Sequence, residues 1–462
     1  MAAAQMTAHA ETGYRAVAFI DDDPALAGTT VDGIPVVGGR ERIPRALEEY
    51  AADEILIALP SVHGAVIRDI VRTCRSLRAR FRIVPGIWEI IRGDVRIEQI
   101  RRVEPEDLLG RESVEPDAGL LGTAYRGKRI LVTGAGGSIG REWALQVLRR
   151  EPARLVLMGR GENSLFETDV ELRGRSAPDG AAVELALVDL RDRKAVERCF
   201  RKVRPEVVLH AAAHKHVTFM ENYPEEAIVN NVVGTADLVA AAEEAGADRF
   251  VMLSTDKAVN PRSVMGASKR LAELILAERA AAGSATRLMA VRFGNVLGSR
   301  GSVVPLFLRQ IRAGGPVTVS DPEVERYFMT VKEAAMLVLQ AGALGRGGEV
   351  FILDMGDQIR ILDLARELIT LSGLRPEEDV PIAITGLRPG EKMREELVHG
   401  FEELVPTEAA KVRVARSARP PIENFTAGLE TLERAARAAD RPAIRRLIEE
   451  ILPEASLPQD PA

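Results

Sequence analysis

The sequence predicts an α/β protein: a doubly wound parallel sheet with a C-terminal lobe, preceded by a second, smaller α/β domain. Three observations carry this expectation. Short apolar runs alternate with longer amphipathic stretches from Arg129 to Phe293, which is how a parallel sheet with crossover helices reads. The first of those runs ends in a glycine-rich turn, Thr133-Gly134-Ala135-Gly136-Gly137-Ser138-Ile139-Gly140, that opens a helix. A shorter copy of the same alternation lies between Tyr14 and Leu109.

The bulk properties agree. A chain of 462 residues is too long for one ordinary domain. With 46% hydrophobic and 28% charged residues it can fill buried cores and is not a disordered chain. The formal net charge is -6 with both signs interspersed, which gives no basis for nucleic acid as a partner. Two cysteines, Cys74 and Cys199, fall in separate expected domains without a CxxC neighbour. That usage excludes a disulfide framework and a cysteine zinc site, and it fits a reducing cytoplasm. No run of about 20 apolar residues occurs to cross a bilayer. Met1–Ala10 lack the basic start and apolar core of a signal peptide.

The first domain is expected over 14–109. Arg15–Ile20 reads as a buried strand ending in Asp21-Asp22-Asp23-Pro24, and Gly33–Gly38 as a second short strand. A charged helix to about Ala52, a strand Glu54–Leu59, a helix to about Arg80 and a strand Phe81–Val84 follow. Residues 110–127 read as a linker. The second domain, 128–298, has expected strands at Arg129–Val132, Arg154–Met158, Val183–Val188, Glu206–His210, Arg249–Leu253 and Arg287–Phe293. From 299 to 420 the pattern loosens into a lobe, with strands Val317–Val319 and Val350–Asp354 and a helix Ile361–Leu371. The tail, 421–462, reads as charged, helical and peripheral.

The glycine turn carries the first chemical inference. Glycines let the backbone approach a pyrophosphate, and the helix that follows presents free N–H groups and a partial positive charge. Strand, turn and helix together are the phosphate-binding fingerprint of a Rossmann domain, and they assign Thr133, Gly134, Gly136, Gly137, Ser138, Ile139 and Gly140 to a dinucleotide, NAD or NADP. At the end of the next strand stands Met158-Gly159-Arg160-Gly161, with no acid for the ribose hydroxyls. The missing acid and Arg160 permit a 2′-phosphate; Arg160 also reads as a solvated loop cation. Asp189 and Leu190 end the third strand, where an acid can meet the adenine edge or cap a helix. Ala211 and Ala212 end the fourth and leave room for the ligand.

Ser254-Thr255-Asp256-Lys257 follows the fifth strand, at the carboxyl edge where such sheets place ligands. Met265-Gly266-Ala267-Ser268-Lys269 has the YxxxK spacing of short-chain dehydrogenases, with methionine in the tyrosine position. Lys269 then faces the nicotinamide ribose, or is a solvated helix lysine. Asp256-Lys257 is either a proton-transfer pair or a loop ion pair. His214 and His216 suggest a metal, but no supporting ligand set accompanies them.

From about Lys128 to Leu397 the chain resembles the extended short-chain dehydrogenase family, and more narrowly the non-inverting UDP-N-acetylglucosamine 4,6-dehydratases of bacterial polysaccharide and glycan biosynthesis. The residues that carry the resemblance are Thr133–Gly140, His210-Ala-Ala-Ala-His-Lys-His-Val217, Ser254–Lys257, Arg292-Phe-Gly-Asn-Val296, Ser299-Arg-Gly-Ser-Val303 and Gly386-Leu-Arg-Pro-Gly-Glu-Lys392. The segment Tyr14–Leu109 resembles the extra nucleotide-binding-like domain of the long members, which usually carry transmembrane helices ahead of it.

The resemblance implies a tightly bound NAD(P), UDP-N-acetyl-D-glucosamine as substrate, a cytoplasmic site of action and a homo-oligomer. Asp256 would protonate O6, Lys257 would remove the C5 proton, and Thr255 and Lys269 would assist the C4 hydroxyl. Methionine at 265 is what the non-inverting branch carries. Lys215, Glu221, Asn295, Ser302, Val303, Pro305, Arg326, Arg388 and Glu391 would hold the UDP-sugar. A base role needs neutral lysine: burial and Lys269 would lower the Lys257 pKa and Asp256 would oppose them. Two other readings follow from the same fold. A 4-epimerase or reductase would rely on the missing tyrosine, and a dinucleotide-sensing scaffold would not need the Thr255–Lys257 cluster.

Overall fold

The computed structural model describes residues 15–59, 64–77, 79–83, 117–174, 182–417 and 422–458. The chain divides into two compact units, one of residues 1–113, 306–318 and 363–383, the other of 114–305, 319–362 and 384–462. Residues 299–420 are therefore shared between the two.

The larger unit holds a nine-stranded sheet: β1 Arg129–Thr133, β2 Arg154–Gly159, β3 Ala182–Leu187, β4 Val207–His210, β5 Arg249–Leu253, β6 Arg287–Arg292, β7 Val350–Leu353, β8 Glu402–Pro406 and β9 Val412–Ser417. Their spatial order is β8-β9-β7-β6-β5-β4-β1-β2-β3. All pairs from β3 to β7 are parallel, while β9 joins β7 and β8 antiparallel. The chain reverses direction across the sheet between β1 and β4. That is the topological switch point, where open parallel sheets open a crevice at their carboxyl ends. The expected Rossmann-type α/β class is therefore what the chain adopts.

The helices that cover the sheet are α1 Ala118–Tyr125, α2 Ser138–Leu148, α3 Glu162–Gly174, α4 Arg193–Val203, α5 Gly234–Glu244, α6 Val264–Ala281 and α7 Val331–Leu344. Burial on both sheet faces explains the near-continuous apolar strands. One face packs Trp143, Leu145 and Leu148 with Leu337 and Leu339; the other packs Phe200, Leu238, Phe250 and Leu276. Two polar tips are satisfied within the first layer: Trp143 Nε1 donates to the Ala335 carbonyl at 3.2 Å and the Tyr125 hydroxyl to that of Leu339 at 2.7 Å.

Three expectations are corrected here. The described part of the linker is α1, capped by Asp117, with Leu121, Ala124 and Tyr125 buried in the core. The tail is not peripheral. Its helices α8 Phe425–Arg437 and α9 Arg441–Ile451 bury Phe425, Leu432, Ile444 and Ile448 in one cluster with Met265, Ala267 and Leu271 of α6. Their charges mislead because they sit on the outer face, while one apolar side chain per turn points inward.

The third correction lies in the smaller unit. Arg15–Ile20 forms no strand; Phe19 alone bridges to Val36. Thr30–Val31 pairs antiparallel with Ile34–Pro35, and Glu54–Ile57 pairs parallel with Arg80–Ile83. Helices span Ile43–Glu49 and Gly64–Ser76. Val36, Ile43, Ile57, Ile67, Val71 and Cys74 are buried. The expected strand residue Val84 and the end of that domain to Leu109 lie outside the described residues.

Candidate functional site

The glycine turn links β1 to α2 at the switch point. Gly134 has φ +65°, and a Cβ there would stand 2.7 Å from the Ala212 amide nitrogen. Only glycine lets the turn lie against the end of β4, and the small Ala211 and Ala212 complete the approach. Gly137 caps α2 with no side-chain hydrogen bond, so the first amides of α2 have no capping side chain. No acid occupies the first turn of α2. This cradle fits the diphosphate of a dinucleotide. Beneath it Thr133 Oγ1 lies 2.7 Å from His210 Nδ1, and Thr235 Oγ1 lies 3.0 Å from Nε2. Burial first, and then the Lys269 charge, push the His210 pKa well below its ordinary value, so this imidazole is neutral.

Arg300 lies in the Ser299–Val303 motif but has no assigned role from the sequence. Its backbone N–H donates to Ser138 Oγ at 3.1 Å and its guanidinium donates to the Gly136 carbonyl at 3.3 Å and pairs with Glu167. A cation is thus set against a helix N-terminus, which favours anions. The two motifs do not announce their contact, because it joins residues more than 160 positions apart.

At the adenosine end, Arg160 is half exposed and 4.0 Å from Asp189. Asp189 is not a helix cap: Asp192 caps α4, while Asp189 forms a bidentate pair with Arg191, Nη2 to Oδ2 at 2.7 Å. The hydrogen bonds from Arg191 hold the Asp189 pKa below the usual carboxylate range against burial. Leu190 is buried behind them.

The cluster after β5 is tightly wired. Thr255 Oγ1 donates to Asp256 Oδ1 at 2.8 Å, and Lys257 Nζ donates to the same oxygen at 3.0 Å. Asp256 is fully buried, and its Oδ2 has no hydrogen-bond partner among the described residues. Lys257 Nζ also reaches Asn295 Oδ1 at 3.3 Å and Glu395 Oε1 at 3.3 Å. Asn295, expected among the residues that hold the UDP-sugar, is therefore a neighbour of the lysine. Glu395 has no place among the residues expected from sequence, although it follows the Gly386–Lys392 motif by three residues.

The lysine pKa values reverse the expectation. Burial would lower that of Lys257, but the charges of Asp256 and then Glu395 outweigh burial and Arg326 and hold it above the ordinary lysine value. Lys269 is the depressed one: burial brings it to about 8, with Glu273 pulling the other way. Met265 lies in the apolar cluster under α8. Beside it, a Cβ on Gly266 would stand 2.1 Å from the Lys257 carbonyl oxygen. This glycine lets α6 run against the loop that carries the cluster, a close approach that composition does not reveal.

Behind the cluster, Ser254 Oγ donates to Glu273 Oε1 at 2.6 Å, and the fully buried Arg292 spans Glu273 and Glu402. Arg292 is the chief charge that overrides burial and brings the Glu273 pKa to about 2. Asn231 adds a second brace: it exchanges hydrogen bonds with the His214 backbone at 2.8 and 2.9 Å and donates to Ser268 Oγ at 3.0 Å.

The residues assigned to a substrate by resemblance separate into groups. Arg326 is buried, with Nη2 on Glu391 at 3.2 Å and Nη1 on the Glu325 and Met393 carbonyls. Glu391 also accepts from Ser320 and from the Arg388 amide, so it anchors Arg326 and its own turn. Arg388 itself is exposed. Lys215 Nζ lies 3.5 Å from Ser299 Oγ, and Ser302 Oγ is buried without a partner among the described residues. Val303 and Pro305 open the helix Val303–Arg312. Glu221 is turned inward: one oxygen accepts the Val264 amide at 2.7 Å, the other pairs with Arg445 at 2.8 Å. Both oxygens serve the packing of α6 against α9, which is why a substrate role for Glu221 does not fit. Among the described residues no group of three or more His, Cys, Asp or Glu could hold a metal ion. None of their helices is long and apolar enough to cross a membrane.

The family described as "Polysaccharide biosynthesis protein" matches residues 130–417, the span that holds the turn, the cluster and Arg326. The chain belongs to this family. A second family, described as "CoA-binding domain", matches residues 1–85. The "Probable polysaccharide biosynthesis protein EpsC" of Bacillus subtilis is 47% identical over 84% of this chain and 64% of its own length. The capsular polysaccharide biosynthesis protein CapD of Staphylococcus aureus is 45% identical over the same shares. The chain thus spans under two thirds of the length of these relatives. More distant relatives include the inverting UDP-N-acetylglucosamine 4,6-dehydratase of Campylobacter jejuni, 32% identical over 59% of this chain and 78% of that protein. The UDP-glucose 4-epimerase of Rickettsia canadensis is 36% identical over 59% and 77%. Among solved structures, Pen from Bacillus thuringiensis is 33% identical, with TM-score 0.58 over 64% of this chain and 89% of its own. The Thermus thermophilus UDP-glucose 4-epimerase solved with NAD is 25% identical, with TM-score 0.50 over 58% and 89%.

Proposed function

We propose that the protein is an NAD(P)-dependent dehydratase that converts UDP-N-acetyl-D-glucosamine to its 4-keto-6-deoxy derivative with C5 configuration retained. The observation that carries the reading is the Thr255-Asp256-Lys257 cluster, with a buried carboxylate oxygen left open and methionine where a tyrosine base would stand. The glycine cradle, the family membership and the NAD in the Thermus relative support the cofactor. The bound dinucleotide would accept hydride from C4 and return it to C6. Thr133, Gly134, Gly136, Gly137, Ser138, Ile139 and Gly140 would hold its diphosphate, Arg160, Asp189 and Leu190 its adenosine end, and Ala211, Ala212 and Lys269 its nicotinamide half.

The residues account for the protons. In the ion pair Lys257 carries the proton and Asp256 does not. Moving it across the 3.0 Å hydrogen bond gives a neutral amine and a carboxylic acid with no net change of charge. Those are the forms elimination needs. Once C4 is a ketone, Lys257 Nζ takes the C5 proton, the C5–C6 double bond forms, and the C6–O6 bond breaks as Asp256 protonates O6 and water leaves. The ion pair is thereby restored. Lys257 then returns its proton to the same face of C5 as hydride reaches C6. The proton lost by the C4 hydroxyl at oxidation would be taken up by Lys269, half neutral near pH 8, and held there through elimination; once Lys257 has given its proton to C5, it would pass through Thr255 to Asp256 Oδ1 and reset the acid. Arg326, with Lys215, Ser302, Val303, Pro305 and Arg388 around it, would receive the UDP diphosphate, steadied by Glu391.

The Rickettsia relative makes a 4-epimerase the second reading. Mass spectrometry of the product separates the two: dehydration removes one water from the UDP-sugar, whereas epimerisation leaves its mass unchanged. A product of unchanged mass sinks the dehydratase reading. A dinucleotide-sensing scaffold would bind the cofactor and leave the sugar intact. The site would act in the cytoplasm and within a homo-oligomer.

A further inference from the structure

Lys257 is asked to do two opposite things. It must be neutral to take a proton from C5 and charged to give it back. Asp256 supplies the first state by sharing its proton, but Asp256 is also the nearest competitor for the proton that has to return to carbon. A second group that favours the ammonium without itself lying on the reaction path would resolve this.

Glu395 meets that description. It is buried, and its Oε1 lies 3.3 Å from Lys257 Nζ and 3.8 Å from Arg326 Nε. Its Oε2 is buried with no hydrogen-bond partner among the described residues. Nζ donates to Asp256 Oδ1 at 3.0 Å and to Asn295 Oδ1 at 3.3 Å, and the Glu395 carboxylate stands beside it as an ion pair, a second negative charge within 3.3 Å of the ammonium. A neutral amine could keep both hydrogen bonds but would leave this buried carboxylate without its counter-charge. Removing one partner of a buried pair leaves the other charge uncompensated.

We propose that Glu395 is a positioning residue for Lys257: it fixes Nζ between Asp256 and Asn295 and keeps its charge from the removal of the C5 proton until its return. The role in the C5 step rests on the dehydratase reading; the effect on Lys257 ionisation does not. The charges that face Lys257 are Asp256 on its own turn, Glu395 from the 386–397 segment and Arg326 from the strand Glu325–Arg326. The Lys392 ammonium, on the Val259 carbonyl at 2.7 Å, also responds to Asp256 and Glu395. Of the two carboxylates, Asp256 is the reaction's acid, so Glu395 is the one free to serve as a constant counter-charge.

The test is trace acetylation of the full chain across a pH series, with the Lys257 peptide quantified by mass spectrometry. Glu395→Gln should lower the labelling midpoint of Lys257 by about one pH unit, a tenfold change in the neutral fraction. Glu395→Asp, which keeps the charge, should recover most of the shift. Glu396→Gln, next in the chain and exposed, should leave the midpoint where it is. Coincident wild-type and Glu395→Gln curves would overturn the proposal. So would a Glu395→Gln protein in which buried Lys269 labels faster in parallel, since that marks general loosening. Labelling reads Lys257 whether or not the enzyme turns over, whereas product analysis reads the dehydratase assignment, so the two fail separately.

Discussion

Two turns invite comparison, the one after β1 in the larger unit and the one after Arg15–Ile20 in the smaller, where Phe19 shares only a bridge with Val36. In the larger unit the turn is glycine, the amides at the start of α2 have no capping side chain, and Arg300 lies against it. In the smaller unit the corresponding turn is Asp21-Asp22-Asp23. There Asp21 Oδ1 accepts the Asp23 amide and Asp23 Oδ1 the Ala25 amide, both at 2.9 Å, and Asp22 takes the Arg40 amide and side chain, also at 2.9 Å. The N–H groups that a phosphate would need are already occupied by carboxylates, and the added negative charge repels an anion. One alternation of strand and helix thus leaves an uncapped glycine turn in one unit and a self-capped turn in the other. The turn chemistry decides, and not the fold.

The largest effects should come from the larger unit. Asp256→Asn removes the acid and Lys257→Met the base; each should lower turnover by ~10²–10⁴-fold, with much smaller changes in UDP-sugar affinity. Steady-state rates and UDP titrations check this, and near-normal turnover in either variant contradicts the assigned roles. Next comes Gly134→Val, whose Cβ would meet the backbone of Ala212. Because backbone cannot move aside as a side chain can, the supernatant released by heating the purified variant should contain no NAD or NADP, while that of the wild-type protein contains close to one per chain.

A pH profile sharpens the comparison within the site. Lys269 is protonated below about 8 and neutral above it, so turnover should rise through pH 8. Lys269→Arg, which stays charged, should abolish that rise. A profile flat from pH 7 to 9 in the wild type would remove Lys269 from proton handling. The smallest effect belongs to the aspartate turn. Asp22→Ala loses a partly exposed ion pair, worth no more than about 1 kcal/mol, and should leave turnover unchanged. Although residues 1–85 match a family described as a CoA-binding domain, coenzyme A should show no saturable binding at concentrations that saturate the dinucleotide site. Saturable binding lost in Asp22→Ala would break the contrast between the turns.

Much of the larger unit is legible in its amino acids. Strands β1 to β6 lie within a residue or two of their expected places, because their apolar runs are bounded by Gly, Asp and Pro and, except in the part-exposed edge strand β3, are buried on both faces. The glycine turn is legible because backbone approach demands a particular residue type. What escapes the sequence is long-range. Phe19 shares only a bridge with Val36, so β-propensity over Arg15–Ile20 does not become a strand. Helices α8 and α9 read as a charged tail, and only packing against α6 gives their inward side chains a meaning. Glu395 is invisible in the sequence because its meaning is a 3.3 Å distance to a lysine more than 130 positions away, and that carboxylate helps reverse the expected direction of the Lys257 pKa. Glu221 shows the converse: a residue matched to a motif is committed to helix capping and to Arg445.

The central claim is that Lys257 both removes and returns the C5 proton on one face of the sugar. Incubation of the full chain with UDP-N-acetyl-D-glucosamine in deuterium oxide, followed by proton NMR of the first-formed product, tests it most directly. The account predicts UDP-2-acetamido-2,6-dideoxy-α-D-xylo-hexos-4-ulose carrying deuterium at C5. A product of L-arabino configuration would contradict it.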